Sequence, residues 1–449
     1  MFRKSEMEMT QGPLLKKLMV FSLPLMMTGI LQLLYNAADI IVVGRFSGEK
    51  ALAAVGATGS LTNLLINLFI GLSIGANVVV ARNLGAKDED RVHRAVHTSM
   101  LLSIIGGLFV GGVGILFSEP LLLLMGTPED VVGLSVLYMR IYFIGMPASM
   151  VYNFGASILR AKGDTKRPLW FLMVSGLVNV GLNLLFVVKF EMSVDGVAYA
   201  TVISQYLSVA MILISLTRLE DSCKLSLKKL KLYGNELKNI MRIGFPAGVQ
   251  SSLFSVSNVL IQWAVNSFGS VVVAGYTAAS NVENFIYISM NSVSQAAITF
   301  TSQNFGARQS ARITKILWQC VAIVTFLGVA LGTFATVFPG ALIGFYTTSQ
   351  EVIAVGSLRL SIVAISYFLC GIMEVFAGVM RGMNYSLMPM IVSLLGACGF
   401  RILWIFTVFA LERNIIILYL SYPLSWILTD ITHYVCYVIV KKRVNLRLS

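Results

Sequence analysis

The sequence predicts an all-α polytopic membrane protein with 12 transmembrane helices arranged as two six-helix lobes. Three observations carry this. Hydrophobic residues make up 57% of the chain and charged residues 12%, against about 25% charged in ordinary soluble domains, and the mean hydropathy is +0.80. Apolar stretches of about 20 residues or more can each cross about 30 Å of hydrocarbon. They lie near residues 17–44, 52–81, 95–117, 132–159, 168–188, 196–217, 239–266, 272–301, 313–338, 354–380, 389–411 and 414–440. Finally, the chain repeats itself at a shift of 221: residues 81–86 (ARNLGA) fall on residues 302–307 (SQNFGA), Phe117 on Phe338, Thr127 on Thr348, Arg160 on Arg381 and Pro168 on Pro389. Pro24 and Pro246 align at 222. A register held over so long a stretch signals a duplicated unit.

The spans divide into residues 1–217 as an amino lobe, 218–238 as a cytoplasmic linker and 239–449 as a carboxyl lobe. Six spans return each copy to its starting side, so a pseudo-two-fold axis along the membrane normal is expected. The linker is the one long polar connector and carries Lys224, Lys228, Lys229 and Lys231. Basic residues concentrate on its side of the membrane: Arg3, Lys4, Lys16 and Lys17; Arg82 to Arg94; Arg160 to Arg167; Arg308 to Lys315; Arg381; and Lys441 to Arg447. The opposite loops hold Arg45, Lys50, Lys189 and Arg413. That imbalance predicts a multi-pass protein of the cell inner (plasma) membrane with both termini cytoplasmic. The net charge of +13 is then explained by loops facing anionic headgroups, and a nucleic-acid partner is not expected.

Several function classes fall away. Residues 1–12 show no apolar core with a small-residue cleavage site, so no removable signal peptide is expected. Cys223, Cys320, Cys370, Cys398 and Cys436 have no disulfide or metal-ligand spacing and read as packing residues. The segment from Gly44 to Lys50 lacks the spacing of a phosphate-binding loop. His93 and His97 stand four apart and read as a solvated helix end rather than a metal site. An enzyme and a bound cofactor are therefore not expected. Work would come from an ion gradient, about 2.3 kcal/mol per charge per 100 mV.

Ionisable groups inside the spans are the candidates for coupling. Asp39, Glu283, Glu374 and Asp430 qualify. Asp430 is expected to pair with Arg401, with His433 one turn further along. Arg140 and Arg359, near the outer ends of spans four and ten, are expected to snorkel to the headgroups. Asp39, Asn183 and Thr201 each lie about five or six residues from the outer end of spans one, five and six, hence about 8–9 Å deep at 1.5 Å per residue. Asn179 is one turn from Asn183. One carboxylate, two amides and a hydroxyl suit Na⁺ or a proton; polar bridging between helices is the competing reading.

Pro24, the segments at 34–39 (LYNAAD) and 43–45 (VGR), residues 53–56 (AAVG), 159–168 (LRAKGDTKRP), 200–205 (ATVISQ) and 302–307 resemble the multidrug and toxic compound extrusion (MATE) family. The resemblance covers nearly the whole chain. It implies a bacterial branch in which the aspartate of span one, two polar residues of span five and a threonine of span six form a cation or proton site, here Asp39, Asn179, Asn183 and Thr201. The family pattern in span five commonly reads Asn then Asp four residues on; Asn183 replaces that acid and leaves Asp39 as the sole charge, so neither Na⁺ nor H⁺ is preferred.

In the carboxyl copy, Glu283 and Glu374 lie at mid-membrane depth, and polar stripes run through Asn291 and Gln295 on span eight and Gln250, Asn258 and Gln262 on span seven. Such stripes read as wetted faces of a substrate cavity or a second coupling site, or as polar glue between helices. With abundant aromatic and Met side chains they suit bulky organic cations. The expected function is a monomeric secondary antiporter exporting amphiphilic, cationic organic compounds in exchange for H⁺ or Na⁺ by alternating access, with prolines 24, 147 and 246 as bending points. The alternative is a lipid-linked saccharide flippase of related architecture.

Overall fold

The computed structural model describes residues 7–448; Arg3, Lys4 and the side chain of Arg447 lie outside the described residues. Twelve helical spans follow in order. Unbroken helices are α1 (Leu14–Phe46), α2 (Glu49–Gly85), α3 (Glu89–Leu124), α6 (Val194–Thr217), α7 (Gly234–Asn266), α8 (Ser270–Gly306), α9 (Ser310–Val337) and α12 (Ile415–Leu448). Four spans are interrupted. α4 joins Glu129–Ile144 to Met146–Ala161 with a 44° bend across Gly145; Pro147, in the first turn of the second segment, has no N–H to continue the helical ladder across the break. α5 is Lys166–Asn183 continued by a π-turn, Leu184–Lys189. α10 is Gln350–Arg359, a π-turn Leu360–Ala364, then Ile365–Gly382. α11 runs from Leu387 through a π-turn at Leu394–Gly399 to Leu411.

Among the described residues, nine helices are long and apolar enough to cross a membrane, ten with the bent pair of α4 counted as one. The two that complete the twelve are α7 and α8, 33 and 37 residues long. Their length suffices at 1.5 Å per residue; the Ser, Asn and Gln stripes noted in the sequence lower their hydropathy.

The described residues form two compact units: residues 7–8 with 27–245, and residues 9–26 with 246–448. The span count divides the chain at the 218–238 linker; the contacts divide it at Met26 and Phe245, beside the aligned prolines 24 and 246. Two segments explain the difference. In the second unit the stretch before α1 is fastened by its carbonyls: Asn304 donates to Met9 O at 3.2 Å, and Arg312 donates to Met9, Gln11 and Gly12 at 3.4, 3.0 and 3.1 Å. Phe21 then packs edge-on against Phe300 with ring centroids 5.4 Å apart. In the first unit the linker is fastened likewise. Lys162 pairs with Asp221, the Ser226 N–H donates to His97 Nε2 at 3.1 Å, and the Tyr233 N–H donates to Thr98 Oγ1 at 3.1 Å. Cys223 and Leu225 are buried beneath it. Residues 234–245 of α7 continue into the same unit, where a Cβ on Gly75 would fall 2.3 Å from Ile240 O.

His97 is thus fully buried, not at a solvated helix end. Its Nδ1 lies 2.8 Å from the His93 carbonyl and so carries the proton, which leaves Nε2 free to accept from Ser226. All five cysteines are free thiols. Replacing His97 by Ala orphans the half-buried Ser226 N–H, and we expect a loss of about 1 kcal/mol or more, read as a lower thermal midpoint in detergent and faster proteolytic cleavage within residues 218–233.

Candidate functional site

The first unit places its polar residues where α1, α5 and α6 meet, and a single glycine sets the approach. A Cβ on Gly176 of α5 would lie 1.9 Å from the Tyr35 ring of α1. Only hydrogen at this position lets the two helices close, and Tyr35 then donates its hydroxyl to Met173 O at 3.3 Å. Asp39 is one turn beyond Tyr35, and Asn179 and Asn183 are one and two turns beyond Gly176, so the contact brings acid and amides to the same level.

There they form one connected network. Asn183 Nδ2 donates to Asp39 Oδ1 at 2.5 Å and to Asn179 Oδ1 at 3.3 Å. Asn179 Nδ2 donates to Thr201 Oγ1 at 3.4 Å, and Thr201 donates to Val197 O at 3.0 Å. Asn183 is 0% exposed, and its Oδ1 is buried with no hydrogen-bond partner among the described residues. Asp39 is half-buried. The structure therefore joins all four residues that the sequence singled out in this copy. Among the described residues no three acids, histidines or cysteines gather as a metal cluster. One carboxylate with amide and hydroxyl oxygens around it can hold a single positive charge.

The second unit differs from expectation. Arg359 does not reach toward headgroups: it is buried and donates through Nη2 to Glu283 Oε2 at 2.7 Å. Its guanidinium carbon lies 4.1 Å from the ring centre of Tyr276, 5.0 Å from Tyr422 and 5.3 Å from Tyr419. The sequence placed the start of span ten near residue 354, whereas the helix begins at Gln350; about four residues at 1.5 Å each carry Arg359 deeper, beyond easy snorkelling. Arg140, by contrast, is exposed and pairs with Glu119 at 3.4 Å.

Arg401 does not pair with Asp430 either. It donates to Ser425 Oγ at 2.9 Å and stacks on Tyr422 and Trp426, 4.2 and 5.3 Å from their centres. Both Asp430 oxygens are buried without a hydrogen-bond partner among the described residues. Similar depth was a necessary condition for the pair; the rotation of α12 puts Ser425 and the two rings in front of Arg401 instead. His433 meets Ser393 Oγ at 3.0 Å.

The other polar residues of this copy are not gathered into one cluster. Gln250 is buried and accepts from Arg381 Nη2 at 2.8 Å. Asn258 is exposed, Gln262 donates to Asn266 at 2.9 Å, and Asn291 donates to the Tyr287 hydroxyl at 3.5 Å. Gln295 and Glu374 are half-buried, and the Glu374 backbone carbonyl accepts from Ser294 at 2.8 Å. Among the described residues no hydrogen bond joins Glu283, Glu374, Gln250, Asn258, Gln262, Asn291 or Gln295 to another of the seven. Sequence reasoning missed the Arg359 partner and the tyrosines around it. The Tyr419 and Tyr422 spacing of three, one helical turn, was the available signal.

Comparison with known proteins follows from this architecture. The MatE family model matches residues 24–185 and 246–407, one copy of the repeat each. The chain belongs to the MATE family. Among curated MATE relatives, the probable multidrug resistance protein YoeA of Bacillus subtilis is 27% identical over 413 residues, spanning 88% of this chain and 89% of that one. The multidrug export protein MepA of Staphylococcus aureus is 22% identical over 371 residues, covering 83% and 82%. An outward-facing structure of a multidrug resistance MATE family transporter of the MOP superfamily superposes with a TM-score of 0.90 over 97% of this chain and 98% of that chain at 21% identity. At that identity the superposition speaks for the fold, a MATE fold of twelve helices in two lobes.

A side chain at residue 176 should uncouple the network. We expect Gly176→Val to force α1 from α5 at a cost of about 1–3 kcal/mol, measured by thermal unfolding, and Tyr35→Ala in the same chain to restore most of it, because the atoms nearest the added Cβ all belong to Tyr35.

Proposed function

We propose that the chain is a secondary active antiporter of the plasma membrane that exports amphiphilic, cationic organic compounds in exchange for H⁺ or Na⁺ by alternating access, as a monomer with both termini cytoplasmic. The observation that carries this reading is the connected Asp39–Asn183–Asn179–Thr201 network. An intramembrane carboxylate is expensive to retain, and this one is held by an amide that also has a buried, unmatched carbonyl oxygen. Loaded with a cation, Asp39 and the Asn183, Asn179 and Thr201 oxygens complete a shell of oxygen ligands. Loaded with a proton, Asp39 becomes a donor that can turn to the unmatched Asn183 Oδ1. Either event changes the hydrogen bonds that tie α1 to α5 and α6, which gives the ion differential contacts with two states of the first unit.

The names of the relatives support drug export as the work performed, and the single negative charge fits a monovalent ion. Exchange of one H⁺ or Na⁺ for one singly charged organic cation moves no net charge, so the ion's own concentration gradient supplies the work, about 1.4 kcal/mol per tenfold. The flippase alternative draws no support from those names.

The test is transport of a fluorescent organic cation into proteoliposomes with pH and Na⁺ gradients imposed separately. We expect one gradient to drive uptake by the native protein and Asp39→Asn to abolish the response, with binding of the organic cation retained. Equal gradient-driven transport by native protein and Asp39→Asn would remove Asp39 from the mechanism.

A further inference from the structure

The buried pair in the second unit has the make-up of a receptor for an organic cation. A carboxylate and the faces of several phenol rings around one positive charge are how proteins hold ammonium and guanidinium groups. Here the carboxylate is Glu283, the rings are Tyr276, Tyr419 and Tyr422, and the charge they surround is the chain's own Arg359.

The fit is incomplete in a way that a purely structural ion pair need not be. An arginine locked to a carboxylate commonly makes two parallel hydrogen bonds. Arg359 makes one, through Nη2. Its Nε and Nη1, Glu283 Oε1 and the Tyr419 hydroxyl are all buried without a hydrogen-bond partner among the described residues. The backbone is also interrupted at this point: the π-turn Leu360–Ala364 starts at the next residue, and such turns loosen the helical ladder and recur at functional sites. The neighbouring Arg401 is held differently, on a Ser425 hydrogen bond and the Tyr422 and Trp426 rings.

We propose that Glu283, Tyr276, Tyr419 and Tyr422 form a binding cage for organic cations of the guanidinium or ammonium class, and that Arg359 is its tethered competitor. In this structure the arginine fills the cage; a free cation occupies it when Arg359 withdraws. The ligand class and the transport measurement rest on the reading of the chain as an exporter of organic cations; the binding measurement does not. A competitor that fills the cage most of the time lowers the apparent affinity by the fraction of time the cage is open. Arg359 would thereby set how strongly the second unit retains its ligand.

The full-length protein in detergent tests this with methylguanidinium and tetramethylammonium as probes, each against sodium chloride of equal ionic strength. We expect the thermal midpoint of the native protein to be insensitive to millimolar methylguanidinium. Arg359→Ala and Arg359→Gln should start lower, because Glu283 has lost its counter-charge, and recover by several degrees in a saturable way. Glu283→Gln combined with Arg359→Ala should not respond. In gradient-driven transport, Arg359→Gln should lower KM for an organic cation by about tenfold. Variants that elute as a single symmetrical peak yet show no saturable recovery, or that recover equally without the Glu283 carboxylate, would make the pair structural and overturn the proposal. If Arg359→Ala does not fold, Arg359→Gln carries the same reading. The binding measurement needs no gradient, so it stands or falls separately from antiport at Asp39.

Discussion

A bilayer offers no hydrogen bonds, so a polar side chain carried into it is costly unless the protein supplies a partner. That constraint organises both units. In the first, one acid is satisfied by an amide, which leans on a second amide and a hydroxyl, and the approach of the helices is set by the missing side chain of Gly176 against Tyr35. In the second, one acid is satisfied by an arginine whose flat cation is covered by three phenol rings. The two solutions have different consequences. A neutral amide leaves the negative charge of Asp39 uncancelled, whereas a guanidinium cancels that of Glu283.

The duplicated copies have exchanged where they keep charge. A shift of 222 carries Asp39 to Ile261 and Asn183 to Ile405, and both isoleucines are buried in one apolar cluster of the second unit. Where one copy has an acid–amide contact, the other has two isoleucines of one apolar cluster. Conversely, a shift of 221 carries Tyr138, packed in an apolar cluster of the first unit, to Arg359. The register slips by one between Pro168 and Asn183. In the second copy a π-turn, Leu394–Gly399, intervenes before the equivalent position, whereas in the first the π-turn follows Asn183. An i→i+5 turn accommodates one extra residue without breaking the helix.

Much of the first-unit site was legible beforehand because helical arithmetic preserves depth. Residues at equal distances from the membrane surface on neighbouring spans are at one level, whatever the packing, and Asp39, Asn183 and Thr201 met that condition. The same arithmetic misled at Arg401 and Asp430, where depth agreed but the helix rotation did not, and at Arg359, where the span was taken to begin about four residues late. Polar spacing in α7 and α8 showed that those faces are not lipid-like, yet gave no means of knowing that Gln250 serves Arg381 while Asn258 stays exposed.

The sequence by itself determined the membrane class, the twelve spans, the duplication and the family, since hydropathy, period and repeat are properties of the chain read in one dimension. Only the tertiary structure decided which charges cancel and which remain available, and that residues 9–26 and 234–245 pack with the copy other than their own. Both depend on azimuth: which face of each helix turns toward which neighbour is settled by close contacts such as Gly176 on Tyr35 and by carbonyl captures such as Arg312 on residues 9–12, and spacing along the chain does not encode the choice among neighbours.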